Sequence, residues 1–289
     1  MTIAKIIAPL TGAERDKSVL KTAFAAAKPF KAHVAALFIR PDPRFSVAYM
    51  GGVPVSPDVV QAIVDGAEEV NKAATKVARA TFAAVASDAG AAITAAPGPA
   101  GQQTTCSFAE MEGNFSMCVS EAAKLSDLVV FGPIGAADSP DIGEAFAETL
   151  LTTERPALLA TLSPAKFPGK VALAWDGSDT AARALVGALP FLEKAEQVIL
   201  LSCCRDAKNK PDFRTVKQYL ALHGISCTEE VIEPGKREIG AALLDSAKAL
   251  GVDLLVMGGY GHSRLGEVIF GGVTQHVRWH ATMPVLMIH

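Results

Sequence analysis

A glycine-rich segment near the end of the chain carries the residue pattern with the clearest chemistry. Gly258, Gly261 and Gly271 lie in this segment, and Gly272 follows directly. Glycines let the backbone approach a ligand closely and point its N–H groups inward. A predicted helix opens near Val273, and the amides at its start would favour an anion. The pattern indicates a phosphate site, although tight turns alone also use glycine in this way.

Two apolar runs, each a predicted strand, are expected to position this segment. The run Lys170–Trp175 ends in Asp176, and the run Asp253–Met257 leads directly into Gly258. Ligands of open parallel sheets bind beyond the carboxyl ends of strands, where the strand order reverses. We therefore expect Asp176 and the glycine segment to border one crevice. His262 and Arg264, within the segment, are candidates for stacking on a base or pairing with phosphate, with a surface salt bridge of the arginine as the alternative.

The sequence contains an internal repeat that divides the chain into two similar halves. Lys5–Gly12 aligns with Lys170–Gly177, and Asp127–Gly135 aligns with Asp253–Gly261. A third match relates Pro156–Ala160 to the last apolar run, which begins at Pro284. Strands that alternate with helices predict a parallel sheet with helices on both faces. We predict an α/β protein of two tandem domains, 1–163 and 168–289, each with five mostly parallel strands.

The glycine spacing resembles a known family. Gly258-x2-Gly261-x9-Gly271 is similar to the nucleotide-binding pattern of the universal stress proteins, and the closing segment 273–288 resembles their last helix and strand. The resemblance covers nearly the whole chain outside about 41–101. It implies Rossmann-like domains of the flavodoxin-like or adenine nucleotide alpha hydrolase-like type. It also implies that the two last strands, near Ala157–Thr161 and Val285–Ile288, pair to make an intramolecular pseudo-dimer.

The same resemblance assigns roles to residues of the second half. It implies binding of ATP or another adenine nucleotide, with Mg²⁺ accompanying ATP. Asp176 would lie near the adenosine, and Ser202 and Cys203 would flank the adenine. The remaining positions would meet ribose and phosphates, mainly through backbone amides: Gly258, Gly261, Gly271, Gly272, Val273 and the hydroxyl of Thr274. Gly272 stands where the family has Ser or Thr, so we expect weaker binding or a preference for AMP, ADP or another ligand.

The first half departs further from that pattern. Thr11 replaces the aspartate, and Ala145 stands at the last glycine position. Asp138, Asp141 and Glu144 add negative charge that would oppose a triphosphate. We expect this half to be a structural partner without nucleotide. It also carries 39 more residues than the second half before its glycine motif, which predict a long amphipathic helix over 56–89 and a loop through Gly101.

The regular elements of the second half follow from apolar periodicity. The predicted strands are Lys170–Trp175, Gln197–Ser202, Ser226–Ile232, Asp253–Met257 and Val285–Ile288. The predicted helices are Thr180–Leu192, Asp212–His223, Glu238–Leu250 and Val273–Ala281.

Composition excludes several classes of protein. The 289 residues are 50% hydrophobic and carry a net charge of −3, which argues against disorder and against nucleic acid as the main partner. No basic start followed by an apolar stretch marks the N-terminus, and no run is lipid-like. We expect a cytoplasmic protein with no membrane partner, and reduced thiols at its five cysteines.

Three functional interpretations remain open. The leading one is a non-catalytic stress-response regulator that binds a nucleotide and acts on an unidentified protein partner, with a further homodimer left open. The second is a scaffold or small-metabolite sensor of the same fold that binds no nucleotide. The third is a slow ATPase or autokinase with Thr274 or Ser263 as acceptor. His276 and His280 have zinc-compatible i, i+4 spacing, but a packing role is favoured and we predict no metal.

Overall fold

Strands and helices alternate along the chain, and the strands make one mixed sheet in the computed structural model. The structure describes residues 2–42, 56–135, 140–161, 167–205, 211–260 and 272–289. All statements below concern these residues. The boundary between the two predicted domains falls largely on 162–166, outside the described residues, so the limits 1–163 and 168–289 stay a prediction.

The first half alternates strands and helices. Its strands are β1 (Lys5–Leu10), β2 (His33–Arg40), β3 (Ala92–Ile93), β4 (Thr105–Glu112), β5 (Leu128–Phe131) and β6 (Ala157–Leu159). Its helices are α1 (Arg15–Ala27), a 3-10 turn at Lys28–Phe30, α2 (Pro57–Asp88), α3 (Phe115–Ala123) and α4 (Pro140–Leu151). The predicted helix over 56–89 is therefore confirmed as α2.

The second half repeats this order without the insertion. Its strands are β7 (Lys170–Ala174), β8 (Gln197–Cys203), β9 (Cys227–Ile232), β10 (Leu254–Gly258) and β11 (Val285–Ile288). Its helices are α5 (Asp179–Leu192), α6 (Arg214–Leu222), α7 (Ile239–Ala249) and α8 (Gly272–His280). Every predicted element of this half is present, with ends displaced by at most two residues.

All strands join one sheet in the order β3-β4-β2-β1-β5-β6-β11-β10-β7-β8-β9. The pairs within each half are parallel, and the two halves meet at the antiparallel pair β6–β11, where Leu158 faces Leu286. The predicted pairing of the last strands is confirmed. The first half has six strands instead of the expected five, because Ala92 and Ile93 pair with Thr105 and Cys106 of β4.

Two apolar cores cover the two faces of the sheet. One core packs α1, α2, α5 and α6 on side chains such as Phe38 and Leu200. The other packs α3, α4, α7 and α8 on the alternate side chains, among them Leu37 and Leu201. Phe30 of the first half and Phe191 of α5 are in edge-to-face contact at 5.2 Å, so the halves also touch through their helices.

The inserted helix α2 is packed along only part of its length. Its fully buried residues are Ala78, Phe82, Val85 and Ala86, all in the C-terminal half. The Asn71 side chain donates to the Pro41 carbonyl at 3.0 Å, just past the carboxyl end of β2. Residues before Asn71 therefore extend beyond the carboxyl edge of the first-half sheet.

Candidate functional site

A cavity of about 260 Å³ lies at the carboxyl ends of β7 and β10. β7 pairs with β8 on one side and with β10 on the other. The chain therefore leaves β7 at the point where strand order reverses, which is the usual ligand position in open parallel sheets. The wall combines apolar residues with polar ones: Ala174, Trp175, Asp176, Ser178, Thr180, Ala181, Leu201, Cys203, Ile239, Leu243, Met257, Gly258, Gly272, Val273 and Thr274.

Asp176 stands at the exposed mouth of this cavity. Its Oδ1 accepts hydrogen bonds from the Ser178 backbone N–H at 2.9 Å and from the Ser178 hydroxyl at 2.6 Å. Ser178 is the N-cap of α5, and its Oγ accepts from the Ala181 N–H at 3.2 Å. The helix start and the carboxylate thus fix each other, which leaves Oδ2 of Asp176 available to accept from a ligand.

Two glycines border the cavity for different physical reasons. A Cβ on Gly258 would lie 2.8 Å from the backbone carbonyl carbon of Thr180, so only glycine lets β10 approach the start of α5 so closely. A Cβ on Gly272 would meet nothing within 4 Å. Gly272 is the first residue of α8, and its N–H is one of the helix-start amides without an intrahelical acceptor.

Thr274 joins the cavity to a buried pair behind it. The Tyr260 backbone N–H donates to the Thr274 Oγ1 at 3.5 Å. Tyr260 is buried and has a φ of 58°, a left-handed conformation unusual for a bulky residue. The Arg278 guanidinium of α8 lies beside its phenol; burial raises the pKa of Tyr260 and lowers that of Arg278. The pair anchors α8 to the end of β10.

The predicted site residues separate into three groups. Those that line the cavity are Asp176, Cys203, Gly258, Gly272, Val273 and Thr274. Those that lie outside the described residues are Gly261, His262, Arg264 and Gly271. Ser202 is the one that the structure places elsewhere.

Ser202 was expected beside the adenine but does not line the cavity. Leu201 and Cys203 line it, and strand alternation turns the residue between them to the opposite face of the sheet. The Ser202 hydroxyl is buried there without a hydrogen-bond partner. Cys203 does reach the cavity, and burial raises the pKa of its thiol, so it is poorly suited to act as a nucleophile.

Sequence reasoning missed several residues of the wall. Ser178 could have been found from its position before Asp179 at a helix start, since serine is a preferred N-cap. Thr180, Ile239 and Leu243 carry no local signal, because they reach the cavity only through packing of α5 and α7.

The corresponding turn of the first half is built differently. Asp16, which is buried, accepts through Oδ1 from the Thr11 N–H at 3.0 Å and through Oδ2 from the Gly12 N–H at 2.7 Å. At the end of β5, Phe131 packs edge to face on the fully buried Phe146 of α4, with ring centroids 5.4 Å apart. Aromatic side chains thus fill space near the carboxyl end of this strand.

The histidine pair of α8 packs against neighbouring groups. His276 Nδ1 lies 3.2 Å from a carboxylate oxygen of Glu238, and a Cβ on Gly240 would come within 2.9 Å of the His276 Cβ. The rings of His276 and His280 stack with centroids 4.3 Å apart. These contacts join α8 to the start of α7.

None of the helices in the described ranges combines the length and the apolar character that crossing a bilayer requires.

Comparisons with known proteins agree with this architecture. A sequence model described as the Universal stress protein family matches residues 217–289. No curated protein sequence matches the chain. A universal stress protein from Archaeoglobus fulgidus DSM 4304 has a similar structure, with a TM-score of 0.61 and 15% identity over 98% of this chain and 95% of that one.

Two further solved structures share the fold at similarly low identity. One is a functionally unknown protein from Pseudomonas aeruginosa PAO1, with a TM-score of 0.57 and 13% identity over 99% of this chain and 92% of that one. The other is the cytoplasmic domain of a prokaryotic cation chloride cotransporter, with a TM-score of 0.53 and 11% identity over 99% and 95%. Residues 217–289 thus match the Universal stress protein family, within a chain whose fold is similar to that of a universal stress protein along nearly its whole length.

Proposed function

We propose that the second half binds ATP or another adenine nucleotide without turning it over, and that binding alters a surface read by a protein partner. The observation that carries the proposal is the cavity itself. It combines an apolar interior, a carboxylate at its mouth and the amino end of a helix, which suit the base, the ribose and the phosphates of a nucleotide in turn.

The apolar interior suits the base. Leu201, Ile239 and Leu243 supply apolar surface against which a flat ring can pack, and Trp175 borders the same space. Asp176 at the mouth is placed to accept hydrogen bonds from ribose hydroxyls through its Oδ2, because its Oδ1 already accepts from Ser178.

The phosphates would meet backbone amides more than side-chain cations. Gly272, Val273 and Thr274 begin α8 and all border the cavity, so the amino end of the helix and the positive end of its dipole lie beside it. The described wall includes no Lys or Arg. ATP would therefore bring Mg²⁺ as a counter-charge, and AMP or ADP would bind with a smaller electrostatic cost.

A binding role without catalysis fits the chemistry of the wall. The ionisable side chains of the described wall are Asp176 and Cys203, and the cysteine thiol has a raised pKa. Neither makes a nucleophile–base pair with another group of that wall. The first half is proposed to bind no nucleotide, because Asp16 holds its turn closed and Phe146 fills space beside Phe131.

Tryptophan fluorescence and calorimetric titration test the proposal. Trp175 borders the cavity, so ATP, ADP or AMP should quench its emission in a saturable way. Asp176→Ala should weaken binding about tenfold or more, since it removes a charged acceptor. Asp245→Asn, an exposed carboxylate of α7, is the matched control and should leave binding unchanged.

Other outcomes identify the alternatives. Wild-type protein without saturable binding of any adenine nucleotide below millimolar concentration would contradict the proposal. Mass spectrometry of small molecules released from native protein would then identify the ligand of a metabolite sensor. Transfer of radiolabelled phosphate to the protein, lost in Thr274→Val, would instead indicate an autokinase.

A further inference from the structure

Helix α2 carries an apolar stripe that nothing in the described structure covers. The stripe consists of Val59, Ile63, Gly66, Val70, Ala73, Val77, Ala80 and Ala84, spaced alternately four and three residues apart. Such spacing is the heptad repeat of a coiled-coil seam. All of these residues are exposed except Ile63, which is half-buried; Val70 is 68% exposed and Val77 49%. A Cβ on Gly66 would meet nothing within 4 Å.

This stripe is separate from the face that packs on the sheet. The body-facing residues Ala78, Phe82 and Val85 lie roughly a quarter turn or more away around the helix, at 100° per residue. The charged residues from Asp58 to Arg79 lie on another flank of the helix, among them Asp65 and Lys72, and Asp88 comes only after the stripe has ended. The stripe therefore carries no charged side chain along more than three heptads of exposed helix.

The stripe is complementary to itself when two copies run antiparallel. We place the two-fold axis between Asn71 and Lys72. The facing residues of the two helices then form four kinds of pair, called layers here. Each layer sets one branched side chain against one small residue of the other copy. The layers are Val59 on Ala84, Ile63 on Ala80, Gly66 on Val77, and Val70 on Ala73. A parallel pair would instead stack isoleucine on isoleucine and glycine on glycine, giving layers of unequal width.

Charge at the edge of the stripe agrees with the same register. Glu69 and Lys76 lie beside the stripe, on the side of α2 that faces away from the sheet. The antiparallel register brings Glu69 of each copy close to Lys76 of the other. Two symmetric ion pairs follow, as expected for an isologous interface. Glu69 now pairs with Lys72 of its own helix at 2.7 Å.

Among the described residues, the packing of α2 against the rest of its own chain leaves the stripe open to a second copy. The body covers the C-terminal half of the helix, while the half before Asn71 extends past the sheet. An antiparallel partner would place the well-packed half of its α2 along this less packed half, so the α/β sheets of the two copies would lie at opposite ends of the helix pair. We propose that the stripe of α2 is a homodimer interface, an antiparallel two-stranded coiled coil between two copies of this chain.

Sedimentation velocity and light scattering over a range of concentrations test this proposal with the full chain. The wild type is expected to associate into dimers at micromolar concentration. Val70→Asp should weaken dimerisation at least about tenfold, because it buries two charges near the axis. Val186→Asp, which makes the same change at another exposed valine, in α5, is the control and should dimerise like the wild type.

A charge exchange tests the register. Glu69→Lys places lysine near Lys76 of the other copy and should weaken the dimer, whereas the double variant with Lys76→Glu should restore it. Glu68→Lys makes the same charge change on a flank away from the stripe and should have little effect. A wild type that stays monomeric at high micromolar concentration, a dimer that tolerates Val70→Asp, or a double variant that is not restored would each overturn the proposal. Circular dichroism of every variant separates these outcomes from unfolding.

Discussion

The Asp16 carboxylate accepts a 2.7 Å hydrogen bond from the backbone N–H of Gly12. The same side chain holds the Thr11 N–H, and Ala74 of the inserted helix packs so closely that a Cβ on Gly12 would come within 2.7 Å of the Ala74 Cβ. The turn after β1 is therefore closed by the protein's own groups. Its counterpart after β7 carries Asp176 at an exposed cavity mouth, and this difference separates the two halves of the repeat.

Asp16→Asn should destabilise the first half at neutral pH. The amide has one acceptor oxygen in place of two, so at least one partly buried N–H loses its partner, at a cost of about 1–3 kcal/mol. Denaturant unfolding of wild type and variant at pH 7 measures this. Equal stability of the two would mean that Asp16 does not hold the turn.

The same aspartate predicts a pH effect. Burial raises the pKa of Asp16 above its ordinary value near 3.8, so the folded state holds this proton more tightly than the unfolded state. The contribution of the group to stability is largest at low pH and declines as the pH rises from about 3.8 through the folded pKa. The stability advantage of wild type over Asp16→Asn should therefore shrink with rising pH across that window. A constant difference would contradict the prediction.

His33 predicts the opposite behaviour near pH 6. Its ring nitrogens contact the hydroxyls of Thr105 and Ser107, both at 2.9 Å, and burial together with the charge of Lys5 lowers its pKa below 6.5. The unfolded state then takes up the proton first, so stability should fall as the pH drops below about 6.5. His33→Gln should flatten this part of the stability curve when unfolding is measured between pH 5 and 8; a curve that the substitution leaves unchanged would contradict the prediction.

Gly258 and Gly272 should respond differently to alanine. Gly258→Ala forces a Cβ to within 2.8 Å of the Thr180 backbone and should cost about 1–3 kcal/mol of unfolding free energy. Gly272→Ala points into open space and should leave stability nearly unchanged. Thermal unfolding of the pair measures the contrast. Similar losses in both variants would show that close approach is not the reason for glycine at 258.

Ser178→Ala should loosen the mouth of the cavity. The variant loses the N-cap of α5 and one hydrogen bond to Asp176, so we expect a stability loss of about 1 kcal/mol. Nucleotide affinity should also fall, because Asp176 is no longer held in place. Ser178→Thr keeps the hydroxyl and should recover most of both properties; failure of this rescue would argue against the capping role.

Phe146→Ala tests the filled counterpart in the first half. The side chain is fully buried against Phe131, so truncation should cost about 3–5 kcal/mol. Met117→Ala, at an exposed site of α3, should cost little. A small loss in Phe146→Ala would mean that this region can collapse or is less tightly packed than its burial indicates.

The sequence predicted the repeated elements well because their apolar runs are long and bounded by glycine or proline. Strand β3 was missed because its two residues, Ala92 and Ile93, are exposed and lie in an Ala/Gly/Pro stretch without period. It forms because the edge of β4 that does not face β2 has backbone groups open to pairing. Its pairing is a long-range property that local pattern does not encode.

The sequence predicted those parts of the candidate site that depend on backbone conformation better than those that depend on the direction of a side chain. Gly258 and the start of α8, which are the described parts of the glycine pattern, border one cavity, and their role in binding stays a prediction. The resemblance assigned both Ser202 and Cys203 to the adenine, yet two consecutive strand residues cannot face the same side. Tyr260 and Arg278 were not found, since their pairing depends on how α8 docks behind β10.

The antiparallel pair β6–β11 places the two proposed functional surfaces of the chain, the cavity at Asp176 and the exposed part of α2, at opposite edges of the sheet. It turns the carboxyl edges of the two halves in opposite directions, so the free end of α2 and the cavity at Asp176 point away from each other across a sheet about 50 Å wide. A pair joined through α2 would carry two outward ligand crevices on a stiff frame. Such a bivalent display would let a partner with two matching sites gain avidity without any change in the affinity of either crevice.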